Sequence, residues 1–336
     1  MNFLQHYSEF LLKRNLKHAI VHVTNRCNFR CNHCFIDFSP KRDLKIEDYQ
    51  RLGSQMPDLF WLDIAGGEPF LRKDLAEIVS CFNFEVLQIP TNGSLPELII
   101  KQVERMKEMV RGKITISLSL DGLKEKHAEI RGVSGNWEQV WHTFGELRKL
   151  GGVSIKINTV INRSNFDQIL DLMGEVRSKN PDFHSVILLR GDPKNPDFEL
   201  PPLSELRALA PKIFNILETY DYGESRTMAR MLRNYHKYLW NLSLETIERE
   251  TQVIPCLAGQ AHMVVMGDGS VSSCEMLPSV GNIKEKSFQE IQDSAEFKKQ
   301  LEDIKNKKCH CTHNCAMFDS IMFRPASIPH LLHQKV

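Results

Sequence analysis

The chain of 336 residues has no apolar run approaching the ~20 residues an α-helix needs to cross a bilayer, so no membrane partner is expected. It also lacks an excess of either charge. Its 43 lysines and arginines face 42 aspartates and glutamates, which leaves no basic surplus to hold a polyanion and argues against nucleic acid as a partner. Residues 1–18 carry no secretory signal and the cysteine count of 9 is odd, so a disulfide framework is not expected; free thiols imply a reducing, cytoplasmic setting. Hydrophobic residues, at 42%, are not scarce, and with about 150 residues to a domain the length predicts two parts.

What is present, and concentrated, is cysteine. Cys27-x3-Cys31-x2-Cys34 directly follows an apolar run at 19–23. Three thiolates at this spacing can converge on one metal centre, and the motif supplies no fourth. Either zinc takes His33 as its fourth ligand, or an iron-sulfur cluster is held, its shell completed by a distant residue or one iron left open. A second group, Cys256, Cys274, Cys309, Cys311 and Cys315, falls within 60 residues, too dense for ordinary core packing. Cys81 lies in an apolar helical segment and reads as a core thiol.

Between the cysteine groups, short apolar or alternating runs recur with helical periods between them, the pattern of a parallel α/β architecture. Strands are expected at 19–23, 60–64, 85–89, 114–120, 153–160 and 185–189, and helices at 46–54, 74–81, 96–110, 137–150, 166–178 and 203–217. Within two strands the alternation is informative. Ile114, Ile116, Leu118 and Leu120 oppose Thr115, Ser117, Ser119 and Asp121, and Val153, Ile155 and Ile157 oppose Ser154, Lys156 and Asn158. Helices cover the apolar face, so the polar face looks inward, into a cavity that His22, Thr24, Asp63, Gln88 and Lys156 are placed to line. Such a cavity suits a hydroxylated, charged or peptide substrate, unless these groups simply satisfy one another.

The first three cysteines are followed by Gly66-Gly67-Glu68-Pro69, Thr91-Asn92-Gly93 and Ser119-Leu120-Asp121-Gly122. On these motifs the chain resembles the radical S-adenosylmethionine superfamily over residues 15–320. The resemblance implies an α/β fold, a partial (β/α)6 TIM-type barrel, for which six βα units suffice where a closed eight-stranded barrel would need more. It implies that Cys27, Cys31 and Cys34 hold a 4Fe-4S cluster whose open iron is chelated by S-adenosylmethionine, with Phe29 and Phe35 packed around both. Gly66, Gly67 and Glu68 would meet the cofactor's amino group, the glycines allowing close backbone approach. Asn92, Ser119 and Asn158 fall at further cofactor-contacting positions. Asp121, His127 and Arg131 match the family's SLDG…H…IRG run, either as groups that orient cofactor or substrate or as local ion pairs.

Beyond Glu250 the chain resembles the SPASM extension, or its shorter twitch form, through Pro255-Cys256, the turn Gly267-Asp268-Gly269 leading to Cys274, and Gly281-Asn282-Ile283. A full SPASM domain carries seven cysteines for two clusters; five here imply one auxiliary 4Fe-4S cluster. Cys256, Cys274 and Cys315 are the expected ligands, with Cys309 or Cys311 as the fourth. His310 or His313 joining the shell, or a zinc site at Cys309-x-Cys311-x3-Cys315, are the alternatives. The domain boundaries implied are 1–235 for the barrel, 236–325 for the extension and 326–336 for a tail.

The activity implied is reductive cleavage of S-adenosylmethionine to a 5'-deoxyadenosyl radical that abstracts hydrogen from a polar substrate. A net oxidation of a sugar-like or other small metabolite is the first expectation and a peptide or protein maturase the second. A non-catalytic metal-binding protein is the third. An external one-electron reductant of flavodoxin or ferredoxin type would be needed, and no catalytic base stands out.

Overall fold

The computed structural model describes residues 3–333 apart from 40, 192, 194 and 196. Six strands alternate with helices: β1 (His18–His22), β2 (Leu59–Ala65), β3 (Phe84–Thr91), β4 (Lys113–Ser119), β5 (Ser154–Ile161) and β6 (Phe183–Leu188). Each pairs in parallel with its sequence neighbour, in spatial order 6-5-4-3-2-1. Three more strands continue the sheet from its β1 edge: β7 (His262–Val265) pairs in parallel with β1, and β8 (Ser270–Ser272) and β9 (Gly281–Asn282) follow antiparallel. All six strands and six helices expected from the periodicity are present. The helix expected over 166–178 opens with a 3-10 turn, Phe166–Gln168, before Ile169–Ser178.

The outer strand faces make the main core. Ile116, Leu118, Ile155 and Ile157 are buried with Ile99 and Val103 of the helix Pro96–Met109 and Val140 and Leu147 of the helix Asn136–Leu150. Burying this apolar surface, worth about 25 cal/mol per Å², fixes which face of each strand turns inward.

Of the helices not foreseen, one positions the site. The helix Arg226–Arg249 carries Trp240 and Leu244 into the cluster beside β6 and Tyr235, Leu239 and Leu242 into the cluster holding Phe10 and Phe60. It therefore spans the side that six strands leave open between β6 and β1. A division after residue 235 would fall inside this unbroken helix; the chain's course breaks instead at Glu250, whose φ of 49° is left-handed and stops the helix. The turn expected at Gly267-Asp268-Gly269 joins β7 to β8, with Gly269 at φ 91° and no room for a Cβ, which would fall 2.7 Å from Asn282 Oδ1.

The extension is bonded to the barrel by buried charge. His18 and His262 sit opposite one another in the β1–β7 register, and each Nδ1 lies 2.8 Å from Asp319 Oδ2 on the helix Asn314–Met322. His18 Nε2 also lies 3.2 Å from Asp63 Oδ2 of β2. Burial works against charge on His18, but the Asp319 and Asp63 carboxylates outweigh it and raise its pKa to about 10.

Candidate active site

The loop that carries Cys27, Cys31 and Cys34 leaves the carboxyl end of β1, the end where barrel chemistry is placed. The Gly-Gly-Glu segment after β2 clamps it: Gly67 N donates to Thr24 O and Glu68 N to Arg26 O, both at 2.9 Å. A Cβ on Gly66, at φ 137°, would stand 2.4 Å from Thr24 O, and one on Gly67 2.3 Å from Arg26 O. The glycines thus admit this chain's own backbone, a different reason from the ligand approach expected of them. Glu68 is buried, and its carboxylate accepts from Thr91 Oγ1 and Asn92 N, both at 2.8 Å, and from Phe70 N at 3.3 Å. Burial still pushes its pKa up to about 7. A carboxylate has about four acceptor positions, so one remains for an ammonium donor.

Phe29 is buried beside the thiols, its amide 3.4 Å from Cys27 Sγ. Burial raises the Cys27 thiol to about 11 and moves Cys31 in the same direction, so these two stay protonated until a metal displaces the proton. Thiolates around a tetrahedral zinc stand about 3.8 Å apart. Among the described residues no three cysteine Sγ atoms lie within 4.8 Å of one another, in either cysteine group. Neither cysteine group is therefore gathered to the spacing of one zinc ion by thiols alone, while Cys315 lies close to Glu275 and His313. His33, the zinc alternative's fourth ligand, faces Asp121 at 3.6 Å instead, and burial lowers its pKa to about 4.

Asp121, His127 and Arg131 form one buried set. Arg131 Nη2 pairs with Asp121 Oδ2 at 2.6 Å while its Nη1 lies 3.9 Å from Cys31 Sγ; Asp121 N donates to His127 Nδ1 at 3.1 Å. The local ion pair is therefore formed, and it abuts the cysteine loop. Asn92 Nδ2 donates to Asn28 Oδ1 at 2.9 Å, within the same loop. Ser119 and Asn158 are register partners on β4 and β5. Phe35 lies under the Arg190 guanidinium, 5.2 Å from its ring centre.

Inside the barrel is a cavity of about 320 Å³. Of the five side chains expected to line it, Asp63, Gln88 and Lys156 do. His22 turns to Glu275, 2.7 Å away, and Thr24 to Asp43, at 2.9 Å. The three lining groups are hydrogen-bonded in series: Lys156 Nζ donates to Gln88 Oε1 at 2.8 Å, and Gln88 Nε2 to Asp63 Oδ1 at 3.0 Å. The cavity is not polar throughout, as the strand alternation alone had suggested. Trp61, Met228, Met231, Leu232, Tyr235 and Phe318 form an apolar wall, most of it from helices that no strand pattern reveals.

In the extension, Cys274 and the half-buried Cys256 and Cys309 share an apolar cluster with Ala258, Leu277 and Ile304. Burial raises Cys256 to about 12, with Cys311 and Cys309 its nearest thiol influences; Cys274 is raised as well, with Cys311 foremost among its charged neighbours. Cys315, expected among the foremost ligands, is turned elsewhere: its Sγ lies 3.5 Å from Asp63 Oδ2, on the cavity wall. The reason is helical. Cys315 and Asp319 are one turn apart on the same face, and Asp319 holds that face against His18 and His262. His310 is exposed, and His313 pairs with Glu275. Glu275 and Arg190, both on the cavity wall, were not foreseen. Arg190's signal was available, a charge just past the carboxyl end of β6.

Residues 21–176 match the radical SAM superfamily, and residues 256–316 match SPASM, an iron-sulfur cluster-binding domain. The chain is 24% identical over 300 residues to the antilisterial bacteriocin subtilosin biosynthesis protein AlbA of Bacillus subtilis (strain 168), covering 82% of this chain but only 59% of AlbA. It is 26% identical over 312 residues to the AdoMet-dependent heme synthase of Methanosarcina barkeri (strain Fusaro / DSM 804), covering 86% of this chain and 85% of that protein. A solved structure of native anSMEcpe with bound AdoMet and Kp18Cys peptide superposes with a TM-score of 0.60 at 17% identity, over 86% of this chain and 83% of that one. At that identity the likeness speaks for the fold.

Proposed function

We propose, from the premise that this chain belongs to the radical S-adenosylmethionine superfamily and carries a SPASM domain, that it oxidises a substrate bound inside the barrel. Its cofactors are S-adenosylmethionine and 4Fe-4S clusters. When bound, these supply one-electron reductive cleavage of S-adenosylmethionine, hydrogen abstraction from substrate, and a second iron-sulfur centre able to take up an electron.

The chain's own residues set the geometry. Cys27, Cys31 and Cys34 would hold the first cluster. Cys256 and Cys274 with Cys309 and Cys311 would hold one auxiliary cluster, Cys315 being the candidate to replace either of the latter two. Glu68, buttressed by Thr91 and Asn92, would accept the cofactor's ammonium, and Ser119 and Asn158 would face its ribose and carboxylate. The barrel wall excludes water and competing hydrogen donors from the reacting atoms.

One observation carries the reading. A single cavity is bordered at one end by Ala65 and Pro90, the residues just before the Gly66 and Thr91 segments, and elsewhere by Glu275 and Cys315 of the extension. A substrate there would lie beside Cys315 of the extension and next to the strand ends that lead into the Gly66 and Thr91 segments. The electron enters through an external one-electron reductant of flavodoxin or ferredoxin type.

A second reading, a maturase acting on a peptide side chain, is favoured by the apolar wall of Trp61, Tyr235 and Phe318 and by the likeness to AlbA. Anaerobic reconstitution tests the common ground. The expected result is about eight irons per chain and reductant-dependent formation of 5'-deoxyadenosine. About four irons, with zinc on the carboxyl-terminal cysteines, would remove the auxiliary cluster from the reading; no 5'-deoxyadenosine would remove the radical chemistry.

A further inference from the structure

Lys156 and Arg190 both line the barrel cavity, and among the described residues neither is ion-paired to a carboxylate. Lys156 reaches in from β5, and among the described residues its Nζ has one hydrogen-bond partner, the Gln88 amide oxygen, at 2.8 Å. Arg190 reaches in from just beyond β6; its Nε is buried with no hydrogen-bond partner among the described residues, and its guanidinium lies over Phe35. Neither forms an ion pair among the described residues, whereas the acids of the cavity wall near them are already engaged. Asp63 accepts from His18, Trp61 and Gln88, and Glu275 pairs with His22 and His313. Burial makes it harder to keep Lys156 protonated; the nearby Asp63 carboxylate works against this, and the Arg190 charge adds to it. A buried charge without a counterion is costly, and two in one cavity are more so. Among the described residues no carboxylate pairs directly with either cation, and Asn158 and Ser185 on the same wall offer further donors to an anion.

We infer that the barrel cavity is built for a substrate with an oxyanion group, carboxylate or phosphate, on an apolar body, the anion held by Lys156 and Arg190 and the body against Trp61, Tyr235, Phe318 and Met231. The inference rests on the reading of this cavity as the substrate site, and it narrows the substrate from polar to amphipathic. Arg190 supplies a planar fork that engages an oxyanion through two parallel hydrogen bonds, and Lys156 adds a point charge. The aromatic and methionine side chains opposite accommodate an apolar group without any polar demand.

The test uses the full chain with both cysteine groups loaded with iron and S-adenosylmethionine bound. Calorimetry compares three probes of equal chain length: octanoate, octyl phosphate and 1-octanol. Both anions, or one of them, should bind at least about tenfold more tightly than the alcohol. Octanoate ahead of octyl phosphate assigns a carboxylate, the reverse order a phosphate, and equal affinity supports the shared oxyanion chemistry. Lys156→Met and Arg190→Gln should each weaken the anion about tenfold and leave the alcohol unchanged, and Lys156→Arg should restore binding, which separates charge recognition from a folding defect. An alcohol that binds as well as the anions, or no binding by any probe, overturns the inference. If 5'-deoxyadenosine forms while the anions fail, only the substrate class is lost; if it does not form at all, the reading beneath it is lost.

Discussion

The two cysteine groups differ in how they are assembled, and the difference decides how each should respond to change. Cys27, Cys31 and Cys34 come from one loop, positioned by main-chain bonds from Gly67 and Glu68 and by Asn32 N donating to Ile130 O at 2.9 Å. The second group is collected from separate segments: before β7, after β8, a coil at 309–311 and the start of a helix. The first site is a local motif gripped by its neighbours. The second exists only while the β7–β9 hairpin, the helix Asn314–Met322 and the barrel edge stay docked.

Breaking one thiol in each group gives the largest contrast. Cys31→Ala should abolish 5'-deoxyadenosine formation, whereas Cys274→Ala should leave reductant-dependent cleavage and lose turnover coupled to substrate; each should lower iron by about four per chain. Chromatography of 5'-deoxyadenosine beside iron analysis decides it. Equal loss of cleavage in both variants would show that the two sites are not separable.

A smaller effect tests the docking itself. Asp319→Asn takes from buried His18 the carboxylate that does most to raise its pKa, a broken buried pair that costs about 3–5 kcal/mol. Urea denaturation measures the loss. Hydrogen exchange should show it concentrated in Asn314–Met322 and β7, with the Cys27–Cys34 loop less affected. A uniform rise in exchange would mean that the extension and barrel unfold as one body.

The same contrast explains what could be read from the sequence. Strand and helix periods survive because each strand's face is set by local alternation, as in Ile155 and Ile157 against Lys156 and Asn158. The loop motif is legible for the same reason: all its spacing is local. The aim of Cys315 is not, because Asp319, one turn further on, is held by residues far away in the chain. The cavity's apolar wall was invisible for a related reason. Met228, Met231 and Tyr235 sit on a helix whose own periodicity says it is amphipathic, while only the gap between β6 and β1 says what it covers. Arg190 and Lys156 meet through tertiary structure alone.

The smallest of these effects is a pH dependence that Glu68 of the first site should contribute below pH 7, whereas His18 at the junction, raised to about 10, adds a loss of its own only above its ordinary value of 6.5. At the junction, burial opposes the charge on Asp319, but His18 and His262 hold its pKa below the usual carboxylate value. Glu68 goes the other way, from 4.5 to about 7, because burial outweighs its three hydrogen bonds. Between pH 4.5 and 7 the folded chain keeps a proton on Glu68 that the unfolded chain has released. Stability therefore falls as pH rises through this window and levels off above it, by up to about 3 kcal/mol from this group. The cofactor-free protein should show it as a lower urea midpoint at pH 8 than at pH 5. Glu68→Gln, which cannot ionise, should remove that part of the difference, while Asp319→Asn should leave it in place. Bound S-adenosylmethionine should reverse the sign in the wild type, since an ammonium beside Glu68 favours the carboxylate. A wild type and Glu68→Gln variant with parallel pH profiles would show that Glu68 stays ionised in the folded chain, and that its hydrogen bonds from Thr91 and Asn92 are enough to offset burial.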